Sequence, residues 1–340
     1  MHFSIGYQLA DEDDSIPEIV ADYPGLVSEV YFALPNEASG RSPLVNNTGC
    51  SLEEIKNALA YDLNELNKMN VGAVLLFNSA CYGGHAMSYK LEKRISRGIK
   101  FVENIIPLTA VTTTSLFIAQ YIKQYFPHIA IRASINMRIA SIAAMEQLAD
   151  CFDGYYMQRE LNRDHQAITL LKVWCDANDK SLHLLANSGC MYDCAFQSFH
   201  DNMVAHESEA ALNPGREVKY PAPCWEFLDN PNKWHHLLQN TWIRPEDLHH
   251  YEKYFDTVKL ATRMHSKPRT VLGAYIREKY RGNILDLLEP GYASLPGVPI
   301  LDNSMFPADW HQKTSSCGHN CHECSYCKSV FSKISKRPNN

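Results

Sequence analysis

The chain has 340 residues, 45% of them hydrophobic, and a formal net charge of −6 at pH 7. That length suits two ordinary domains or one (β/α)8 barrel with insertions, and the acid excess excludes a global basic field for nucleic acid or anionic lipid. No basic-then-apolar leader follows Met1, and no unbroken apolar run is long enough to cross a bilayer, so the expectation is a cytoplasmic protein without membrane contact.

Short β-branched runs predict strands over His2–Leu9, Val27–Leu34, Ala73–Phe77, Ile105–Val111, Ala130–Ile135, Gly154–Met157, Leu182–Ala186 and Thr257–Ala261. Helical periodicity lies between many of them. It covers Ser51–Met69, which opens with a capping box of Ser51 and Glu54, then Tyr89–Val102, Ser115–Phe126, Ile139–Phe152 and Asp164–Ala177. Alternation of this kind predicts a parallel sheet with helices packed on it, and eight strands close a TIM-type (β/α)8 barrel. Just past the strands stand Asn36, Asn78, Thr112, Ser134 with Asn136, Arg159 with Asn162, Asn187 with Cys190, and Arg263. Strand C-termini and the loops after them build a barrel's active site, so these residues outline a candidate mouth.

The pattern breaks after the seventh strand. Residues from about 190 to 254 are aromatic and His-rich, include Pro214, Pro221 and Pro223, and read as an insertion over the mouth. The barrel is expected over residues 1–303. Residues 304–340 form a Cys-rich segment whose last stretch, Ser332 to Asn340, is expected to fray.

Eleven cysteines cannot all pair, and a reducing compartment favours metal over disulfides. Cys317, Cys321, Cys324 and Cys327 have the spacing C-x3-C-x2-C-x2-C, which wraps either tetrahedral zinc or an iron–sulfur cluster. Cys190 and Cys194 end the seventh strand, beside a Gly189 that lets backbone approach a ligand. Cys224 is the natural third ligand there, and the fourth is left open among the tail, Cys175, a nitrogen or oxygen donor, and substrate. Cys151 reads as core, and Cys50 and Cys81 as loop residues without assignment.

Among other polar groups, Arg159 and Arg263 follow their strands directly and suit a carboxylate or phosphate, with Arg132 and Arg138 behind them. His200, Asp201, Asn202 and His206 follow the cysteine pair, either as supports and substrate contacts or as a solvated helix start. Arg244 to Asp247 reads as a helix start, with Pro245 in its first turn. His235-His236 and His249-His250 read as surface pairs, because adjacent helical side chains diverge.

At Leu185-Ala-Asn-Ser-Gly-Cys-Met-Tyr-Asp-Cys-Ala-Phe-Gln-Ser-Phe-His-Asp-Asn202, then Cys224, Trp242-Ile-Arg-Pro-Glu-Asp-Leu248 and Val258-Lys-Leu-Ala-Thr-Arg263, the chain resembles the U32 family of peptidases or collagenase-like proteins. The resemblance covers roughly residues 1 to 290 and implies a TIM-type barrel. Several U32-like proteins hold a [4Fe–4S] cluster on four cysteines and serve oxygen-independent hydroxylation of ubiquinone precursors or of RNA bases. Cys190, Cys194 and Cys224 match cluster-type positions.

The expectation is therefore an oxygen-independent hydroxylase or related redox enzyme acting on a small molecule or peptide. Arg159, Arg263, Asn187 and His200 would serve the substrate. A [4Fe–4S] cluster would sit at the mouth and a second one, or zinc, at the tail cysteines. A U32-type peptidase and a non-catalytic, cluster-bearing partner of another enzyme or electron donor are the alternatives; a large RNA is not favoured.

Overall fold

The computed structural model describes residues 1–9, 14–35, 37–40, 50–206, 223–293 and 295–336. Asn36, Pro214 and Pro221 lie outside the described residues. Eight parallel strands close a barrel in sequence order: β1 (His2–Gly6), β2 (Val27–Phe32), β3 (Gly72–Phe77), β4 (Leu108–Thr113), β5 (Ala130–Ala133), β6 (Gly154–Tyr156), β7 (Ser181–Leu185) and β8 (Thr257–Leu260). Strand β8 pairs with β1, Ser4 opposite Lys259, and completes the ring. All eight predicted strands are present, and several stop short because a turn begins inside the apolar run. After β5, for example, the Ser134 hydroxyl accepts from Asn136 N at 3.3 Å and starts a 3-10 turn.

Local chemistry sets the helices. In α2 (Leu52–Lys68) the expected capping box forms: Glu54 N donates to Ser51 Oγ at 3.3 Å, and Ser51 N donates to Glu54 Oε2 at 2.7 Å. The same box, Ser15 with Glu18, starts α1 (Ile16–Ala21), which is too short for periodicity to reveal. Helices α3 (Tyr89–Glu103), α4 (Leu116–Tyr125) and α6 (His165–Ala177) match their expected spans closely. Helix α5 is only Ile142–Leu148, because Ile139 is drawn into a bridge with Met157 and the Ser141 cap starts the helix beyond it.

Outward side chains of the strands join the helices in one large apolar core. The interior is mixed. Ala33, Val74, Leu76 and Ala110 form a small apolar cluster on one side. Elsewhere Arg132 Nη1 donates to both Glu29 carboxylate oxygens at 2.8 and 2.9 Å. The Lys259 ammonium lies 3.7 Å from the Tyr31 ring centroid and 4.7 Å from that of Tyr156. Burial drives the Lys259 amine down to about 7. Arg132, ranked among the mouth arginines from sequence, belongs to this interior.

Between β7 and β8 lie α7 (Gln197–Ala205), α8 (Pro223–Leu228) and 3-10 helices at Pro231–Leu238 and Pro245–Tyr251, the insertion expected from sequence. After β8 come α9 (Pro268–Ile276), β9 (Ile300–Leu301), α10 (Trp310–Ser315), α11 (Tyr326–Ile334) and β10 (Ser335–Lys336). The expected fraying is corrected over 332–336. There Ile334 is buried and β10 pairs antiparallel with β9, because α11 has an apolar face to bury. Residues 337–340 lie outside the described residues. No helix among the described residues is long and apolar enough to cross a membrane.

Candidate thiol site at the barrel mouth

Asn187 sets the geometry of the mouth. Its fully buried side chain accepts from Ala261 N at 2.6 Å and donates to Ala261 O at 3.0 Å and Leu287 O at 2.8 Å. These bonds tie the ends of β7 and β8 to the loop after α9. The assignment of Asn187 to substrate is corrected: its amide is committed to backbone, and it orients the thiol-bearing turn. Gly189 N then donates to Glu289 O at 3.0 Å, and a Cβ on Gly189 would stand 2.2 Å from Pro290 O. Only glycine lets the two backbones approach this closely.

Past that constriction Cys190, Cys194 and Cys224 share one neighbourhood, each partly buried and electrostatically coupled to the others. Burial pushes the Cys194 and Cys224 thiols up. Arg159 and Arg138 oppose this at Cys194, and the buried Tyr292 hydroxyl near Cys224 has no hydrogen-bond partner among the described residues. Arg159 is 6% exposed, and its Nη2 lies 3.4 Å from Asn136 Oδ1. With the Gln197 amide oriented oxygen-first, that oxygen accepts from Arg159 Nη1 and Nη2 at 3.0 and 3.2 Å. Arg263, 7% exposed, donates to Ser39 Oγ at 3.1 Å across the mouth. His200 is half-buried on α7, in the insertion.

The tail thiols form a second neighbourhood. Cys327 is coupled to Cys317, Cys321 and Cys324, and burial pushes its thiol up to about 11 against the pull of Arg163. The two neighbourhoods adjoin. Tyr192, between Cys190 and Cys194 in the chain, stacks on His319, between Cys317 and Cys321, with centroids 4.2 Å apart and planes 1° from parallel. Asn240 fixes the Tyr192 turn: Tyr192 N donates to its Oδ1 at 3.0 Å, and its Nδ2 donates to Gly189 O at 3.1 Å.

Sequence reasoning missed Arg163. Its Nε and Nη2 donate to Trp242 O at 3.1 and 2.6 Å and its Nη1 to Leu238 O at 3.2 Å. The guanidinium also lies 4.9 Å from the Trp242 ring and 5.1 Å from that of Trp310, joining insertion to tail. Its neighbours are about 80 and 150 residues away in sequence, so only the Arg-Asp step after β6 marked it. Cys175 is removed from the candidates for fourth ligand, since it is buried in the outer core with its sulfur 4.0 Å from Met145 Sδ.

Among the described residues no group of three or more His, Cys, Asp or Glu stands in an arrangement that could hold a metal ion. The mouth nevertheless brings three soft donor side chains within electrostatic reach of one another. Burial keeps Cys194 and Cys224 on the thiol side, and the two guanidinium groups at Cys194 offset part of that cost.

No protein-family model matches the chain. It is 24% identical over 323 residues to an uncharacterized protease, MJ1657, of Methanocaldococcus jannaschii, covering 91% of this chain and 89% of that protein. Among solved structures it is similar to the U32 peptidase Mk0906, with a TM-score of 0.52 and 11% identity over 77% of this chain and 92% of that one. The structural likeness is one of fold, the barrel. Together these similarities support the resemblance to the U32 peptidase family.

Proposed function

We propose that this U32-like barrel carries an iron–sulfur centre at its mouth and serves oxygen-independent hydroxylation, or a related redox modification, of a small molecule or peptide. The observation that supports this reading is the nearness of Cys190, Cys194 and Cys224 at the end of β7, with Arg159 and Arg138 acting on Cys194. Cys190, Cys194 and Cys224 would hold the centre, which when bound supplies a one-electron redox couple and an electrophilic iron. With water as the oxygen source the net change is R–H + H2O → R–OH + 2 H⁺ + 2 e⁻, so an electron acceptor is required. Cys317, Cys321, Cys324 and Cys327 would hold a second cluster for that traffic, or zinc as a structural alternative.

The remaining roles belong to the protein's own groups. Arg159 and Arg138 lower the cost of thiolate at Cys194, and the Tyr292 hydroxyl, buried near Cys224 and without a partner among the described residues, is available as a donor to a thiolate there. Arg263, held by Ser39, faces an anionic substrate group. Asn187, Gly189 and Asn240 fix the turn that presents the thiols.

Anaerobically purified protein is expected to be brown, to contain iron and acid-labile sulfide, and to give an EPR signal on reduction. Cys194→Ala and Cys324→Ala are each expected to remove a different share of the iron. A folded, colourless protein with stoichiometric zinc and no iron would overturn the reading. The likeness to an uncharacterized protease and to a U32 peptidase favours a peptidase as second reading; peptide cleavage that survives iron chelation would establish it.

A further inference from the structure

Away from the thiols, three imidazoles from three segments meet where α10 docks. His165 opens α6, His250 lies in the 3-10 helix Pro245–Tyr251, and His311 lies in α10. His165 Nε2 and His311 Nε2 are 3.0 Å apart. The His250 ring stacks on His311, with centroids 3.8 Å apart and planes 17° from parallel. The reading of His249-His250 as a surface pair is corrected for His250: its stacking partner is some 60 residues away, beyond local pattern.

The His165–His311 contact is a hydrogen bond only if one ring donates and the other accepts. Two protonated rings would both present donors, so at most one ring of the pair can be charged while the bond lasts. The surroundings resist charge as well. Lys253 acts on His165 and His250, Arg163 acts on His311, and His249 lies 3.9 Å from His250 ring to ring. Opposing acids are few: Asp164 acts on His165, and Glu278 lies 3.8 Å from His249 Nδ1. The Tyr251 and Tyr254 rings cover His165 at 4.9 and 5.7 Å and supply no charge.

We propose that the His165–His311–His250 contact is a proton-sensitive latch: neutral imidazoles hold α10, and with it the approach to the tail thiols, against the barrel, and protonation releases it. The sign comes from burial, which holds His165 and His250 below the usual imidazole range and His311 at about 3. Undocked rings titrate near pH 6.5, so docking is complete above that value and weakens as pH falls below it, about tenfold per unit for each ring kept neutral. Trp310, 1% exposed beside Trp242 and Phe306, keeps α10 docked at neutral pH.

Hydrogen exchange of the intact protein as purified, corrected for intrinsic rates, tests this between pH 7.5 and 5.0. Peptides spanning residues 309–316 are expected to open at least tenfold more at pH 5.5 than at 6.5, while peptides of β3 stay protected. His311→Phe and His165→Gln, which keep a ring or a hydrogen-bonding amide, are expected to flatten the profile. Opening of 309–316 that ignores pH, persists unchanged in both variants, or coincides with loss of β3 protection would overturn the latch. The outcome does not depend on iron content, so it separates from the fate of the redox proposal.

Discussion

Asn187 is a polar residue at the barrel mouth whose amide is committed to backbone on two elements. Removing its amide leaves the Ala261 and Leu287 carbonyls and the Ala261 N–H buried without their partner. At about 1 kcal/mol per bond plus the cost of unsatisfied groups, Asn187→Ala is expected to destabilise by about 2–4 kcal/mol in denaturant unfolding. Full stability with abolished activity would return Asn187 to the substrate. Arg163 is the other such residue. Arg163→Lys keeps the charge but not the fork that reaches Trp242 O and Leu238 O, and is expected to lower the unfolding midpoint and loosen α10 without changing the β-sheet signal.

At the level of elements, the turn after β7 is held by backbone contact, so its tolerance is narrow. Gly189→Ala places a methyl 2.2 Å from Pro290 O, an overlap with backbone that cannot rotate away. A loss of at least about 2 kcal/mol is expected in denaturant unfolding, and, on the proposed function, a lower iron content through displacement of Cys190. The eight strands and the α2 box were legible because period-2 and period-3.6 patterns and a Ser-x-x-Glu step are local. The insertion was legible because it lacks a period. The features that escaped depend on partners distant in sequence: Tyr192 on His319, Trp310 on Trp242, and the docking of the tail, whose short helices carry little signal alone. The cysteine candidates were legible by type and spacing, but the approach of Cys224 to the Cys190–Cys194 turn was not.

Across the whole molecule the charged barrel interior stands out, where most such barrels pack branched aliphatics. Glu29 balances both Arg132 and Lys259. Glu29→Gln leaves two buried cations poorly compensated and is expected to destabilise by about 3–5 kcal/mol, measured by urea unfolding at pH 7. The interior also predicts a pH dependence. Lys259 titrates at about 7 when folded and near 10.4 when unfolded, so the unfolded state binds more protons between these values and stability rises with pH across them. Above about pH 10 the trend turns, because burial pushes the Tyr31 and Tyr156 hydroxyls up. Lys259→Met is expected to flatten the rise between pH 7 and 10; a slope unchanged in that variant would place its source elsewhere.

The tail cysteines sit between two anchors, Trp310 in the core on one side and the β9–β10 pairing on the other. A free peptide of the same spacing must be gathered by its ion, and much of the binding energy goes into ordering it. Here the flanking chain is held by aromatic packing and a strand pair, so adding or chelating a metal should leave the docking of α10 and the β9–β10 pairing unchanged.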